Sequence, residues 1–105
     1  MRLSDLQPTF IRVAAPTGTD VLSNAQGMRM LCPRCFRRKN GPVGVHSVEL
    51  YFANRGVPEA AGDALCRPRR WVVRGTGFSD LSLRPEIGIP SCGYSGLITN
   101  GEVSE

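Results

Sequence analysis

Four cysteines and one histidine hold most of the reactive chemistry available to this 105-residue chain. Two of the cysteines form Cys32-Pro33-Arg34-Cys35, directly after Met28-Arg29-Met30-Leu31. Two thiolates at that spacing make half of a tetrahedral zinc site. Pro33 fixes one φ inside the knuckle and removes one N–H, which helps the two sulfurs point the same way. The other half must come from farther along the chain, and Ser91-Cys92-Gly93-Tyr94 is the best later source. Cys32, Cys35 and Cys92 are three soft ligands, whereas a structural zinc takes four. His46 and Cys66 are the candidates for the fourth. His46 lies on an expected strand that could bring it back over Cys32 and Cys35. Its competing role is an inward or edge histidine bonded to a backbone carbonyl. Nothing around Cys66 resembles a knuckle, so it reads equally well as a buried free thiol. A redox role for Cys-x-x-Cys fits less well, because no helix N-terminus or βαβ pattern is expected after it to lower a thiol pKa.

Beyond these ligands, the chain offers little that could turn over a substrate. With a single histidine and no other chemistry clustered near it, no acid–base constellation emerges, and no catalytic residue is assigned. The net charge is +4, concentrated in two clusters. One is Arg34, Arg37, Arg38 and Lys39, just past the knuckle; the other is Arg67, Arg69 and Arg70. Either could bind nucleic acid through phosphate backbones. The competing reading is a solvated surface, since no aromatic stacking pattern interleaves the charges.

The elements that must position the ligands read as mainly β. Twelve glycines and eight prolines are spread along the chain, which favours short strands and tight turns. One small domain with a modest core is expected, and a metal would help to hold it. Strands are expected at Pro8–Ala15, at Met28–Leu31, at Val45–Phe52, at Trp71–Arg74, and at Leu81–Leu83 with an irregular extension to Ile89. In Val45–Phe52, alternation puts His46, Val48, Leu50 and Phe52 on one face. Trp71 reads as a core anchor sharing a face with Val73. Asn100-Gly101, between Gly96–Thr99 and Glu102–Val103, predicts a closing hairpin. One short helix is expected near Asp20 to Gln26, capped by Thr19 or Asp20 and ended at Gly27. Asn54 to Arg70 reads as a long loop. The N-terminus lacks an apolar core of signal-peptide type, and no run approaches membrane-span length. The expectation is a cytoplasmic protein, whose cysteines are metal ligands or free thiols rather than disulfides.

Several stretches taken together resemble a family of small uncharacterised phage and prophage proteins. They are Ala25 to Cys35, Gly41-Pro42-Val43-Gly44-Val45-His46-Ser47-Val48, Arg70-Trp71-Val72-Val73-Arg74-Gly75-Thr76-Gly77, and Cys92-Gly93-Tyr94-Ser95 through Val103. Proteins of this kind sometimes carry the label ammonia monooxygenase, with no chemistry to support it. A more distant bacterial branch occurs in ubiquitin-like conjugation operons, where a peptidase role has been proposed. The resemblance implies a phage-encoded small β-rich protein; joined to the knuckle, the expectation is a zinc-stapled accessory module with a non-enzymatic binding or structural role, in the host cytoplasm or with the virion, with a protein partner. Family members tend to have histidine where this chain has Ser95, and Leu-Ser-Pro-Ser-Ile where it has Leu83-Arg84-Pro85-Glu86-Ile87. If that histidine is a zinc ligand, one ligand is lost here; if serine and histidine are a nucleophile and its base, both are. The remaining alternatives are a degenerate peptidase-like hydrolase and a nucleic-acid-binding protein.

Overall fold

Alternation of apolar and polar side chains builds the sheet. The computed structural model describes residues 1–12, 25–55 and 70–104. Within them, seven strands form one sheet in sequence order: β1 (Thr9–Ile11), β2 (Gly27–Leu31), β3 (Ser47–Phe52), β4 (Arg70–Arg74), β5 (Ser82–Ile89), β6 (Tyr94–Thr99) and β7 (Glu102–Val103). Met28 and Met30 of β2, and Val48, Leu50 and Phe52 of β3, turn inward and are buried. Arg29 and Glu49 turn outward and pair at 2.7 Å across the two strands. Trp71 and Val73 of β4 join the core as expected, at 1% and 2% exposure, while Val72 between them is exposed.

The strand pairings are antiparallel except between β3 and β4. Those two run parallel, and among the described residues they pair Tyr51 with Arg70 and Phe52 with Trp71. Asn54 lengthens this short contact. Its side-chain amide donates to the Val73 carbonyl at 3.1 Å and accepts from the Val73 N–H at 3.2 Å, standing in for one rung of the ladder. At the far edge, Arg2 bridges to Glu102 of β7, and the Leu3 N–H donates to the Gly101 carbonyl at 2.8 Å. The chain then passes through a 3-10 helix, Leu3–Leu6, into β1 at the opposite edge. One short segment therefore ties both edges, and the sheet curls around a core that includes fully buried Leu3 and Leu6. Phe10 of β1 stacks on Phe78 from the β4–β5 connection, with ring centroids 4.0 Å apart.

Two local features answer to single residues. Asn100 and Gly101 take φ of 48° and 76°, the left-handed pair that a two-residue hairpin of type I′ needs. Between Leu83 and Ile87 the β5–β6 register shifts. There the Arg84 guanidinium donates to the carbonyls of Leu83 and Ile98 and to the Thr99 hydroxyl.

The expected helix at Asp20–Gln26 lies mostly outside the described residues. Gln26, which is described, is not helical; its N–H donates to the Ile11 carbonyl at 2.9 Å. The helix that is observed, α1 (Pro33–Arg38), starts inside the knuckle. Proline at the first helical position explains it: the ring presets φ, and the missing N–H would have had no partner there. The β3 strand begins at Ser47 rather than Val45. Most of the expected Asn54–Arg70 loop is outside the described residues. No helix among the described residues is long and apolar enough to cross a membrane.

Candidate metal centre

Three separate segments bring four ligand-type side chains to one end of the sheet. Cys32 directly follows β2 and stands at the N-cap position of α1, and its N–H donates to the His46 carbonyl at 2.9 Å. That bond continues the β2–β3 pairing by one rung and sets Cys32 and His46 side by side. Cys35 follows in the first turn of α1, where the Phe36 N–H returns to the Cys32 carbonyl at 3.0 Å. Cys92 comes from the β5–β6 turn, closed by the Cys92 N–H on the Ile89 carbonyl at 3.0 Å. Gly93 next to it has φ of 72°, and a Cβ there would lie 3.2 Å from an Arg34 guanidinium nitrogen. The turn therefore packs directly against α1.

The donor atoms of Cys32, Cys35, His46 and Cys92 all lie within 4.8 Å of one another. The Cys35 and Cys92 sulfurs are 3.4 Å apart, and His46 Nε2 is 2.9 Å from the Cys92 sulfur. Zinc–sulfur bonds of about 2.3 Å put tetrahedral sulfurs roughly 3.8 Å apart. The observed range brackets that spacing, so small side-chain rotations suffice to place all four donors around one ion. Cys32 is fully buried; Cys35, His46 and Cys92 are half-buried. The cluster can hold a metal ion.

The thiols differ in their electrostatics. Burial pushes the Cys32 thiol up to about 11, with the Cys35 backbone N–H pulling the other way. Burial also raises Cys92, but hydrogen bonds from Cys35, His46, Ser91 and Cys32 together outweigh it and bring the thiol down to about 7. A metal reaching this cluster would meet one sulfur already close to its thiolate form, and would have to displace a proton from another.

Of the expected ligands, His46 is beside the three cysteines rather than on a backbone carbonyl through its ring, while Cys66 lies outside the described residues. The knuckle does open a helix, contrary to the expectation that none would follow it. The signal was present in Pro33 and in the absence of any Gly or Pro between Arg34 and Asn40. Ser95 does not join the cluster. It sits on the exposed face of β6, and its hydroxyl donates to a Glu86 carboxylate oxygen at 2.6 Å. Arg37, Arg38 and Lys39 are exposed, Arg34 is half-buried, and Arg70 is in β4; Arg67 and Arg69 lie outside the described residues.

No known protein family, curated protein or solved structure matches this chain. What the cluster does is therefore argued from its own donor set.

Proposed function

We propose that this chain is a small zinc-stapled accessory module with a binding or structural role, of the phage-encoded kind its sequence resembles. The observation that carries the reading is the convergence of Cys32, Cys35, His46 and Cys92 from three segments. A set of three thiolates and one imidazole suits zinc in a tetrahedral site. Four protein donors also fill that coordination shell, which leaves no position for a reactive water, as a structural site requires. The location supports a structural role. Cys92 belongs to the β5–β6 hairpin, and the other donors surround the β2–β3 junction, so one ion would bridge two parts of the sheet that β3 and β4 join by two residue pairs among the described residues.

The test is metal content together with ligand identity. Protein purified after growth with zinc should carry one zinc per chain. Its cobalt form should show the thiolate-to-metal charge-transfer absorption of a sulfur-rich tetrahedral site. Protein that carries no zinc, melts at the same temperature in chelator and titrates as four free thiols would sink the proposal.

One contact bears on a hydrolytic reading: Ser95 donating to Glu86. A serine bonded to a base is the arrangement a nucleophile needs. Here both residues are exposed on the outer face of the hairpin, and neither lines the described cavity beside Arg2 and Phe78. Absence of labelling of Ser95 by serine-directed fluorophosphonate probes is the expected result.

A further inference from the structure

We propose that Cys35 and Cys92 form a peroxide-responsive dithiol: oxidation joins their sulfurs in a disulfide, and the metal leaves the centre. The inference deepens the zinc-staple reading and rests on it. Geometry and access single out this pair. The Cys35 and Cys92 sulfurs are 3.4 Å apart. A disulfide needs about 2.05 Å, so the two have about 1.4 Å to close. Cys35 lies in the first turn of α1 and Cys92 in the β5–β6 turn, so the closure is made by side chains outside the strands. Both are half-buried, whereas Cys32 is fully buried. Around Cys92, the neighbours Pro90, Ser91 and Gly93 are all exposed, and the Ser91 hydroxyl stands 3.9 Å from its sulfur. A small solute therefore reaches Cys92 and is kept from Cys32. An accessible sulfur beside a second thiol that can resolve it is the arrangement of redox-sensing cysteines.

The oxidant is a small hydroperoxide, with hydrogen peroxide the simplest. The Cys92 thiolate attacks one peroxide oxygen: an S–O bond forms, the O–O bond breaks, and hydroxide leaves to take a proton from solvent. The Cys35 thiolate then attacks the Cys92 sulfur: the S–S bond forms, the S–O bond breaks, and a second hydroxide leaves and is protonated. Two thiolates, one peroxide and two protons give one disulfide and two waters, the sulfurs supplying both electrons. Cys32 and His46 are then the donors left in the cluster, and two protein donors are too few for a structural zinc. The disulfide ties the same two segments that the ion tied, across 57 residues of chain. Oxidation thus exchanges one cross-link for another, and the fold persists while the metal is released.

The experiment treats zinc-loaded wild-type protein with a graded series of hydrogen peroxide. Released zinc is read with a chromogenic chelator, free thiols with a thiol-reactive dye, and the bond by peptide mass spectrometry. Zinc release should track a Cys35–Cys92 linked peptide one to one, with free thiols falling from four to two per chain. Dithiothreitol with added zinc should restore the starting state. Near-ultraviolet circular dichroism of buried Trp71 should persist in the oxidised form. Zinc-loaded protein that keeps its metal in peroxide would overturn the inference and leave the staple in place. So would release with the bond mapped to Cys32–Cys35 or to Cys66, or release that accompanies loss of the Trp71 signal, which would be unfolding. Protein that carries no zinc before peroxide is added fails at the staple, and metal release falls with it.

Discussion

Replacing Cys92 by serine tests the staple where it spans the longest stretch of chain. Cys35 and Cys92 are 57 residues apart in sequence, and their sulfurs are 3.4 Å apart in the fold. A cross-link closing a loop of that length removes unfolded-state entropy worth about 4 kcal/mol at 25 °C. For a domain near this size, that corresponds to a melting-temperature difference on the order of 20 °C. The local geometry makes the variant informative. Cys92 is half-buried in a turn held by its own backbone bonds, so serine fits there without opening the core. In chelator, wild type and Cys92→Ser should therefore melt together. With zinc in excess, wild type should rise by about the stated amount, and the variant should rise much less, because its remaining donors lie within a short stretch of chain. Thermal unfolding followed by near-ultraviolet circular dichroism, with and without zinc, reads all four cases. A variant that gains as much from zinc as wild type would refute the reasoning. So would a large difference between the two proteins in chelator, which would make Cys92 a packing residue.

Other perturbations test the fold around the site. Trp71 is buried to 1% exposure, so Trp71→Ala should cost about 3–5 kcal/mol in urea unfolding. Its indole Nε1 is buried without a partner, so Trp71→Phe should cost well under half of that; equal losses would mean that the N–H is satisfied. Asn54→Asp should destabilise more than Asn54→Ala, because a carboxylate would face the Val73 carbonyl where the amide now donates, and the reverse order would remove the added rung from the account. Asp80 accepts from the Thr76 and Gly77 backbone N–H groups and from the Thr76 hydroxyl, and these bonds hold its carboxyl below the usual 3.8. A depressed carboxyl stabilises above its unfolded value and loses that contribution as pH falls through the folded one. The β4–β5 turn should thus loosen in acid below about pH 4, and Asp80→Asn should remove that pH dependence, as followed by amide chemical shifts of Thr76 and Gly77.

How much of this was legible in the sequence varied with the range of the interaction involved. Met28/Met30 and Val48/Leu50/Phe52 announced their buried face because strand periodicity is local. Asn100-Gly101 announced its turn because the left-handed pair is a property of those two residues. The Cys-x-x-Cys gave half of the ligand cluster for the same reason. The helix inside the knuckle was missed because six residues flanked by a strand and a Gly-Pro loop carry too few turns for a periodic signal, leaving Pro33 as the one local cue. Asn54 was read as the start of a loop. Nothing in a lone asparagine tells that its amide will face Val73 across a parallel pairing. The place of His46 beside the three cysteines was also open in sequence, because it depends on a backbone bond from Cys32 that exists only once β2 and β3 have paired.

The order of these contacts shows where a staple at this end of the sheet would act. β2 with β3, and β5 with β6 and β7, are antiparallel pairings formed by segments near in sequence, and such pairs close cheaply. Among the described residues, the junction between them is a parallel pairing of two residue pairs, plus one asparagine side chain. Parallel pairing is slightly weaker per residue, and a short one leaves little to resist shear. A metal held between Cys92 and the β2–β3 turn would oppose that separation from outside the ladder. It would do so through donors that each antiparallel part has already positioned: His46 by the Cys32 N–H, and Cys92 by the Ile89 carbonyl. Removing the metal should accordingly loosen the β3–β4 junction before either hairpin. Hydrogen exchange in chelator should show Ala53, whose N–H reaches the Trp71 carbonyl, losing protection ahead of the amides within β2 and β6. Uniform loss across all strands would mean that the sheet opens as one unit and that the metal does not act at the junction.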